Sequence, residues 1–369
     1  MDSTSKILSI IQELKVDALI LTAPDNTEYF TGVPTIADST QILYADKDGR
    51  VKLYVPVLEF YRFRDSLKDK AEVYAVSKSI KPEDAVVVDK DWKEIISELL
   101  REREKVGVDK SFPSTLSHLL GELPGEKIVD ASSRIWKERM VKTKEEVDAV
   151  KKAVEITSKG VYTLASMVTE GVTEAELAGY FEERVRKEGV SQYAFDPIIS
   201  FKPNNSYPHN VPTSKRLGRN DIILVDVGVK YGGRCSDITR ILKYGRLSEE
   251  EKKTLELVEQ ALYTGVESIQ PGVKAGEAAS KVVEFFEKNG VGKRFIHGLG
   301  HGIGVVVHEP PYLRLGSETV LEPGMVFTVE PGLYYPGKFG VRLEEDVLLT
   351  KKGPRILSEK TRLIIELSR

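Results

Sequence analysis

The sequence predicts an α/β amino-terminal domain followed by an α+β domain with a pseudo-twofold internal repeat. Three observations predict it. At 369 residues the chain exceeds the size at which one hydrophobic core keeps growing, so two domains are expected. Over the first third, short β-like runs alternate with helical patterns, as in layered α/β domains. Further on, 171–190 and 272–291 align without gaps at an offset of 101 positions, sharing Gly171/Gly272, Val172/Val273, Glu176/Glu277, Ala178/Ala279, Glu183/Glu284, Lys187/Lys288, Gly189/Gly290 and Val190/Val291. That is the mark of a duplicated unit.

In chain order, Ile7, Leu8, Ile10, Ile11 and Leu14 give the opening segment an amphipathic helical pattern. The run 16–23 reads as a buried strand that Pro24-Asp25-Asn26 ends. Further strands are expected at 40–45, 51–57, 72–75, 85–88 and 106–109, with helices over 92–101 and 114–120. His118, on the last of these, reads as a surface or partly buried residue. The polar stretch 130–144 leads into a long helix over 143–167, and the domains are expected to be 1–135 and 136–369. After each copy of the repeat come two β-like runs with embedded carboxylates. These are 222–228 and 235–241 in the first half, and 325–332 and 340–349 in the second. A site between the two halves follows.

Composition narrows the function. Net charge is −3 with both signs interspersed, so no basic footprint for nucleic acid or an anionic membrane appears. Charges interrupt every candidate membrane span. The single Cys235 excludes an internal disulfide, which fits a reducing compartment, and a cytoplasmic location is expected.

The chemistry concentrates around His297-Gly298-Leu299-Gly300-His301-Gly302-Ile303-Gly304 and His308, which hold three of the five histidines. The alternating glycines let backbone approach where a Cβ would block it. If the stretch is extended, His297 and His301 share a face. Asp226 interrupts the apolar run 222–225, and a carboxylate there needs a cation or a dense set of donors. Asp237 follows in the next run, brought close if the two strands pair across a turn at Gly232-Gly233. Glu330 ends the run 325–329, and Glu344 lies near Arg342 as the ligand of its strand, with Asp346 on the same face as a candidate to support the ligands. Cys235 reads as a small apolar core residue, facing the site only if its strand is regular. Four carboxylates with an imidazole suit two divalent ions, Mn, Co, Fe or Zn. The loop histidine His209 precedes the first aspartate strand and is expected to reach the site.

Taken together, LVDVG (224–228), CSDITR (235–240), HGLGHGIG (297–304), VHEPP (307–311), VEPGLYY (329–335) and VRLEEDV (341–347) resemble the pita-bread metallopeptidases. The likeness is greatest to Xaa-Pro dipeptidases (prolidases) and aminopeptidases P. DNTEYFTG (25–32) and the segment 138–153 are similar to that family's amino-terminal domain and junction. The resemblance implies a dinuclear site of Asp226, Asp237, His301, Glu330 and Glu344. Asp226 and Glu344 would bridge both ions, Asp237 would complete one, and His301 with Glu330 the other. His209, His308 and Arg342 would contact substrate or support the ligands, and His297 would not be a ligand. It further implies hydrolysis of the bond preceding proline, with Glu330 as proton shuttle and His308 and His209 stabilising the tetrahedral intermediate. Xaa-Pro dipeptides are the expected substrates. The alternatives are an aminopeptidase acting on longer Xaa-Pro peptides and a pita-bread binding protein without catalysis. A homodimer is also implied. The sequence departs from the family pattern at 200–204 and at Asn220-Asp221.

Overall fold

The computed structural model describes residues 3–36, 39–101 and 103–367. Two compact units, Met1–Arg139 and Met140–Arg369, part near the end of the helix α6 (Ser132–Met140). The change of unit falls beyond 135/136 because Ile135 is buried in the first unit and Arg139 donates to Asn26 Oδ1 at 3.0 Å.

The first unit runs α1 (Ser3–Leu14), β1 (Ala18–Leu21), α2 (Pro24–Thr31), β2 (Ile42–Asp46), β3 (Val51–Pro56), α3 (Val57–Leu67), β4 (Glu72–Val76), β5 (Val87–Val88), α4 (Trp92–Arg101), β6 (Val106–Val108), α5 (Ser117–Gly121) and β7 (Ile128–Asp130), then α6. Among the described residues these strands form one sheet, ordered β5-β4-β3-β2-β1-β6-β7. The pairings of β2 are antiparallel and the others parallel. The α/β expectation is met, with three helices, α2, α3 and α6, beyond those the pattern announced. Helix α2 starts where Asp109, reaching from the far end of β6, accepts from Thr22 N, Ala23 N and Asn26 Nδ2 at 2.9–3.1 Å. Helix α3 buries Phe60, Phe63 and Leu67, a helical stripe that Val55 and Val57 disguise as strand alternation. His118 is exposed on α5.

In the second unit each half opens with a helical hairpin: α7 (Lys144–Ser166) with α8 (Glu174–Lys187), then α9 (Glu249–Ser268) with α10 (Ala275–Lys288). Capping boxes at Thr143/Glu146, Thr173/Glu176 and Ser248/Glu251 start three of them. The duplication is visible residue by residue. Helices α8 and α10 share the offset of 101, Gly171 and Gly272 both take φ +88°, and the isolated bridges Thr173↔Arg216 and Lys274↔Val320 correspond.

The strands that follow are β8 (Gln192–Tyr193), β9 (Ile198–Ser200), β10 (Asp221–Val227), β11 (Val229–Tyr231), β12 (Arg234–Cys235) and β13 (Ile238–Tyr244). The second half adds β14 (Gly300–Gly302), β15 (Glu309–Leu313), β16 (Val326–Val329), β17 (Gly332–Tyr335), β18 (Phe339–Arg342), β19 (Glu345–Thr350), β20 (Gly353–Ile356) and β21 (Ile364–Leu367). One sheet is ordered β21-β13-β10-β9 and another β15-β14-β16-β19-β20. Both faces of β10 are buried: Ile223, Val225 and Val227 pack in one apolar cluster, Ile222 and Leu224 in the other. Alternation therefore sends Asp226 to the side of Ile222 and Leu224, toward the second half.

Two local expectations change. The aspartate strands pair as β10 with β13, placing Asp226 opposite Thr239, and the turn at Gly232-Gly233 belongs to a small β11–β12 hairpin inserted between them. The run 340–349 is two strands that break at Leu343-Glu344, so a single alternating face does not extend across Arg342, Glu344 and Asp346.

Candidate metal centre

A cavity of about 850 Å³ opens in the second unit, and its lining includes His209, Asp226, Asp237, His297, His301, His308, Glu330, Arg342 and Glu344. Every residue the sequence singled out for catalysis or metal binding meets there. His301 sits on β14, whose glycines make room for it. A Cβ on Gly300 would lie 2.0 Å from Thr328 O, and one on Gly302 2.2 Å from Pro310 O. Only glycine permits that approach between strands. The segment around His297 is not strand, so the shared-face argument does not apply. His297 nevertheless lines the cavity, with Nδ1 2.8 Å from Gly298 O and Nε2 3.1 Å from Tyr334 OH.

The inner group is Asp237, His301 and Glu344, whose liganding atoms lie within 4.8 Å of one another. His301 Nδ1 is 3.1 Å from Gly302 O, a bond that requires the proton on Nδ1 and leaves the Nε2 lone pair for a ligand. That Nε2 stands 3.7 Å from Asp237 Oδ2 and 3.4 Å from Glu330 Oε1. Glu344 is fixed by Thr239 Oγ1, which donates to its Oε2 at 2.7 Å. Asp226 pairs instead with Arg342, whose guanidinium also donates to Thr239 Oγ1 at 3.2 Å and Tyr334 OH at 2.7 Å.

This is an anionic pocket short of positive charge. Asp226, Asp237, Glu330 and Glu344 line the cavity around the buried guanidinium of Arg342, with the buried Asp346 behind Asp237. Burial, then repulsion from neighbouring acids, raises Asp237 and Glu344 well above the usual carboxylate range. Burial foremost, with the charge of Glu345 adding to it, drives Asp346 up to about 8, and burial with the charge of Asp226 pushes Glu330 up to about 8 against the pull of Arg342. Desolvation, then His308, lowers His301 to about 4. Asp226 Oδ1, Asp237 Oδ1, Glu344 Oε1 and Asp346 Oδ1 are buried without a hydrogen-bond partner among the described residues. Unpaired buried oxygens of this kind cost several kcal/mol each unless a cation meets them. Carboxylates and a neutral imidazole are a donor set that divalent metals accept, so the residues fit metal.

The profile of metallopeptidase family M24 matches residues 148–351, and that of the creatinase/prolidase N-terminal domain matches residues 4–141. The chain belongs to metallopeptidase family M24. This M24 peptidase is 33% identical to a Xaa-Pro dipeptidase of Pyrococcus furiosus, with 98% of each chain covered. Among solved structures, the Xaa-Pro dipeptidase from Bacillus anthracis matches with TM-score 0.86 at 27% identity, each chain covered to 99%. The X-Pro aminopeptidase from Thermotoga maritima gives TM-score 0.87 at 28% identity, both chains covered completely at 100%. The pita-bread architecture and its creatinase-type amino-terminal domain are thereby established for this peptidase.

Sequence reading missed two contributors to the M24 site. Thr239 joins Glu344 to Arg342, and Tyr334 joins Arg342 to His297; the two hydroxyls gave no signal beyond sitting in strands otherwise apolar. Asp346, expected to support the ligands, accepts from the Asp237 backbone N–H at 3.0 Å. Cys235 is buried, its Sγ 3.6 Å from Val305 O, among Val147, Val150, Val154 and Ile238. It lies outside the lining of the cavity. Among the described residues no helix is long and apolar enough to cross a membrane.

Proposed function

We propose that this M24 peptidase hydrolyses peptide bonds preceding proline, with Xaa-Pro dipeptides as its substrates and two divalent ions, Mn, Co, Fe or Zn, at the site. The observation that carries the reading is the buried group Asp237, His301 and Glu344 opening, with Asp226 and Glu330, into one cavity that also presents His209, His308 and Arg342. Asp226, Asp237, His301, Glu330 and Glu344 would hold the metals. Asp237, His301 and Glu344, whose liganding atoms lie within 4.8 Å of one another, would form the core of that set, with Asp226 presented by its pairing to Arg342. Divalent ions in such a site acidify water and polarise a carbonyl.

The protein's own residues do the rest. An imide nitrogen offers no N–H, so the proline side cannot be gripped by strand pairing and has to be received by side chains. Glu330, beside His301 and 3.5 Å from Thr328 Oγ1, would take a proton from the attacking water and deliver it to the departing proline nitrogen. His308, its ring 4.3 Å from that of His301, and His209 on the opposite loop can donate to the oxygen on which negative charge develops. Arg342 holds Asp226 in place while tied to Tyr334 and Pro208 O. We take the first unit, ending at Arg139, to be a non-catalytic creatinase-type domain, the enzyme to be cytoplasmic and its assembly a homodimer, which sedimentation of the purified protein tests.

The deciding experiment strips the protein of metal, reloads it separately with Mn²⁺, Co²⁺ and Zn²⁺, and compares a Xaa-Pro dipeptide with a Xaa-Pro tripeptide of the same first residue. Preference for the dipeptide is expected. Efficient tripeptide cleavage moves the assignment to an aminopeptidase. No turnover of either, with metal bound, removes the proline reading and leaves a binding protein.

A further inference from the structure

The proline pair of VHEPP leaves the start of β15 with little to hold it. Opposite β14 the register shifts between His301↔Tyr312 and Gly302↔Glu309, with Pro310 and Pro311 in between, and neither proline has an N–H to give to the ladder. His308 stands just ahead of this stretch. Its ring meets that of His301 and makes no hydrogen bond among the described residues, so its direction is set by the backbone that carries it. Glu309, the next residue, is buried outside the lining of the cavity. Lys142 Nζ donates to its Oε1 at 2.9 Å, and the two side chains are 2% and 1% exposed. The lysine is itself fixed, its backbone N–H donating to Gly324 O at 2.9 Å beside the bridge Val141↔Met325. On the other side the Glu309 carboxylate fills the space over Gly304, where a Cβ would lie 2.1 Å from Oε1. One buried ion pair thus reaches from the segment before α7 to both ends of the loop that connects β14 with β15.

Such a pair is a poor source of stability. Desolvating both charges offsets most of their attraction, and apolar residues of the same volume would serve the fold as well. Ile303 and Val307, from the same loop, already pack in an apolar cluster with Val147, Val150 and Cys235. What the pair adds is direction, since a carboxylate and an ammonium meet in a narrow range of geometries where apolar groups slide. We propose that Lys142 and Glu309 are positioning residues, a buried ion pair that sets the β14–β15 loop and so aims His308 at the oxygen on which charge develops. The assignment rests on the Xaa-Pro reading above. His308 acts on the transition state rather than on bound substrate, so loosening it lowers kcat and leaves KM in place.

The test uses the full-length, Mn²⁺-loaded protein on whichever of a Xaa-Pro dipeptide and tripeptide it cleaves faster. Glu309→Gln should lower kcat about tenfold with KM within about twofold, the scale of a misplaced oxyanion donor. In a His308→Ala background the same change should cost less than about twofold, because the two positions act as one unit. The double variant Lys142→Met/Glu309→Met should melt close to wild type and still show the kcat loss, which separates aim from stability. Calorimetric titration of metal-stripped Glu309→Gln with Mn²⁺ should give wild-type stoichiometry and affinity, since the ligands stay in place. Equal kcat losses with and without His308, a double Met variant at the parental kcat, or weakened Mn²⁺ binding overturn the role assigned to the pair, while wild-type turnover keeps the proline reading. A wild type that cleaves neither peptide overturns both.

Discussion

Glu330 is the residue on which the chemistry turns. It stands at the end of β16, its backbone N–H donating to Leu299 O at 2.8 Å, with Thr328 Oγ1 and His301 beside its carboxyl. Replacing it by Gln preserves shape and an oxygen donor but removes the exchangeable carboxyl proton. Glu330→Gln should therefore lower kcat by about 10²- to 10⁴-fold while circular dichroism and melting temperature stay near wild type. A variant that turns over at the parental rate would take Glu330 out of proton transfer. At this scale the acids were legible because burying charge is expensive: a carboxylate inside an apolar strand, as Asp226 is, has to be explained by a cation or by function. Thr239 and Tyr334 were illegible for the converse reason. A hydroxyl in a strand costs little when satisfied, so nothing in the local sequence separates a bridge between Glu344 and Arg342 from ordinary core filling.

Among elements, the loop that brings Tyr207, Pro208 and His209 to the cavity depends on an acid remote from them in sequence. Glu174, fully buried at the start of α8, accepts from Phe201 N at 2.8 Å, from Asn204 Nδ2 at 3.1 Å, and from Thr213 N and Oγ1 at 3.0 and 2.6 Å. It thus pins both ends of the His209 loop. Glu174→Ala leaves the N–H of the buried Phe201 unpaired and releases Asn204 and the exposed Thr213 from their shared acceptor, a loss of about 1–3 kcal/mol. It should reduce kcat/KM through the displaced loop, whereas Glu174→Gln keeps one acceptor and should retain more of both. Denaturant unfolding and Xaa-Pro hydrolysis on the same preparations check this; unchanged values for Glu174→Ala would show that the loop holds itself. The duplication was legible as an ungapped match because both copies must begin and end the same helix, with glycine at φ +88° before each. Helix α3 was not, since Val55 and Val57 alternate like a strand until Phe60, Phe63 and Leu67 find the sheet. The break at Leu343-Glu344 was equally hidden, because it is imposed by Glu344 N donating to Thr239 O at 3.2 Å across the site.

For the whole molecule, the site couples stability to metal and to pH. Without metal, Asp346 and Glu330 sit with their carboxyls raised to about 8, by burial foremost in each, and Asp237 and Glu344 are raised as well. In the unfolded chain the same groups titrate near 4. A raised folded pKa means that folding takes up protons, so the associated stability is full below about pH 4. It is lost as pH climbs through about 8, at up to about 1.4 kcal/mol per pH unit for each group inside that window. Metal-stripped protein should thus melt at progressively lower temperature between pH 5 and 8. Divalent ions compete with those protons for the same oxygens and bind only the folded state, so their stabilisation should be small at pH 5 and grow toward pH 8, flattening the curve. Differential scanning calorimetry of stripped and Mn²⁺-loaded samples across this range measures the slope directly. Parallel curves would mean that the orphaned oxygens of Asp226, Asp237 and Glu344 are satisfied by something other than the bound ions, and would separate the metal site from the stability of the fold.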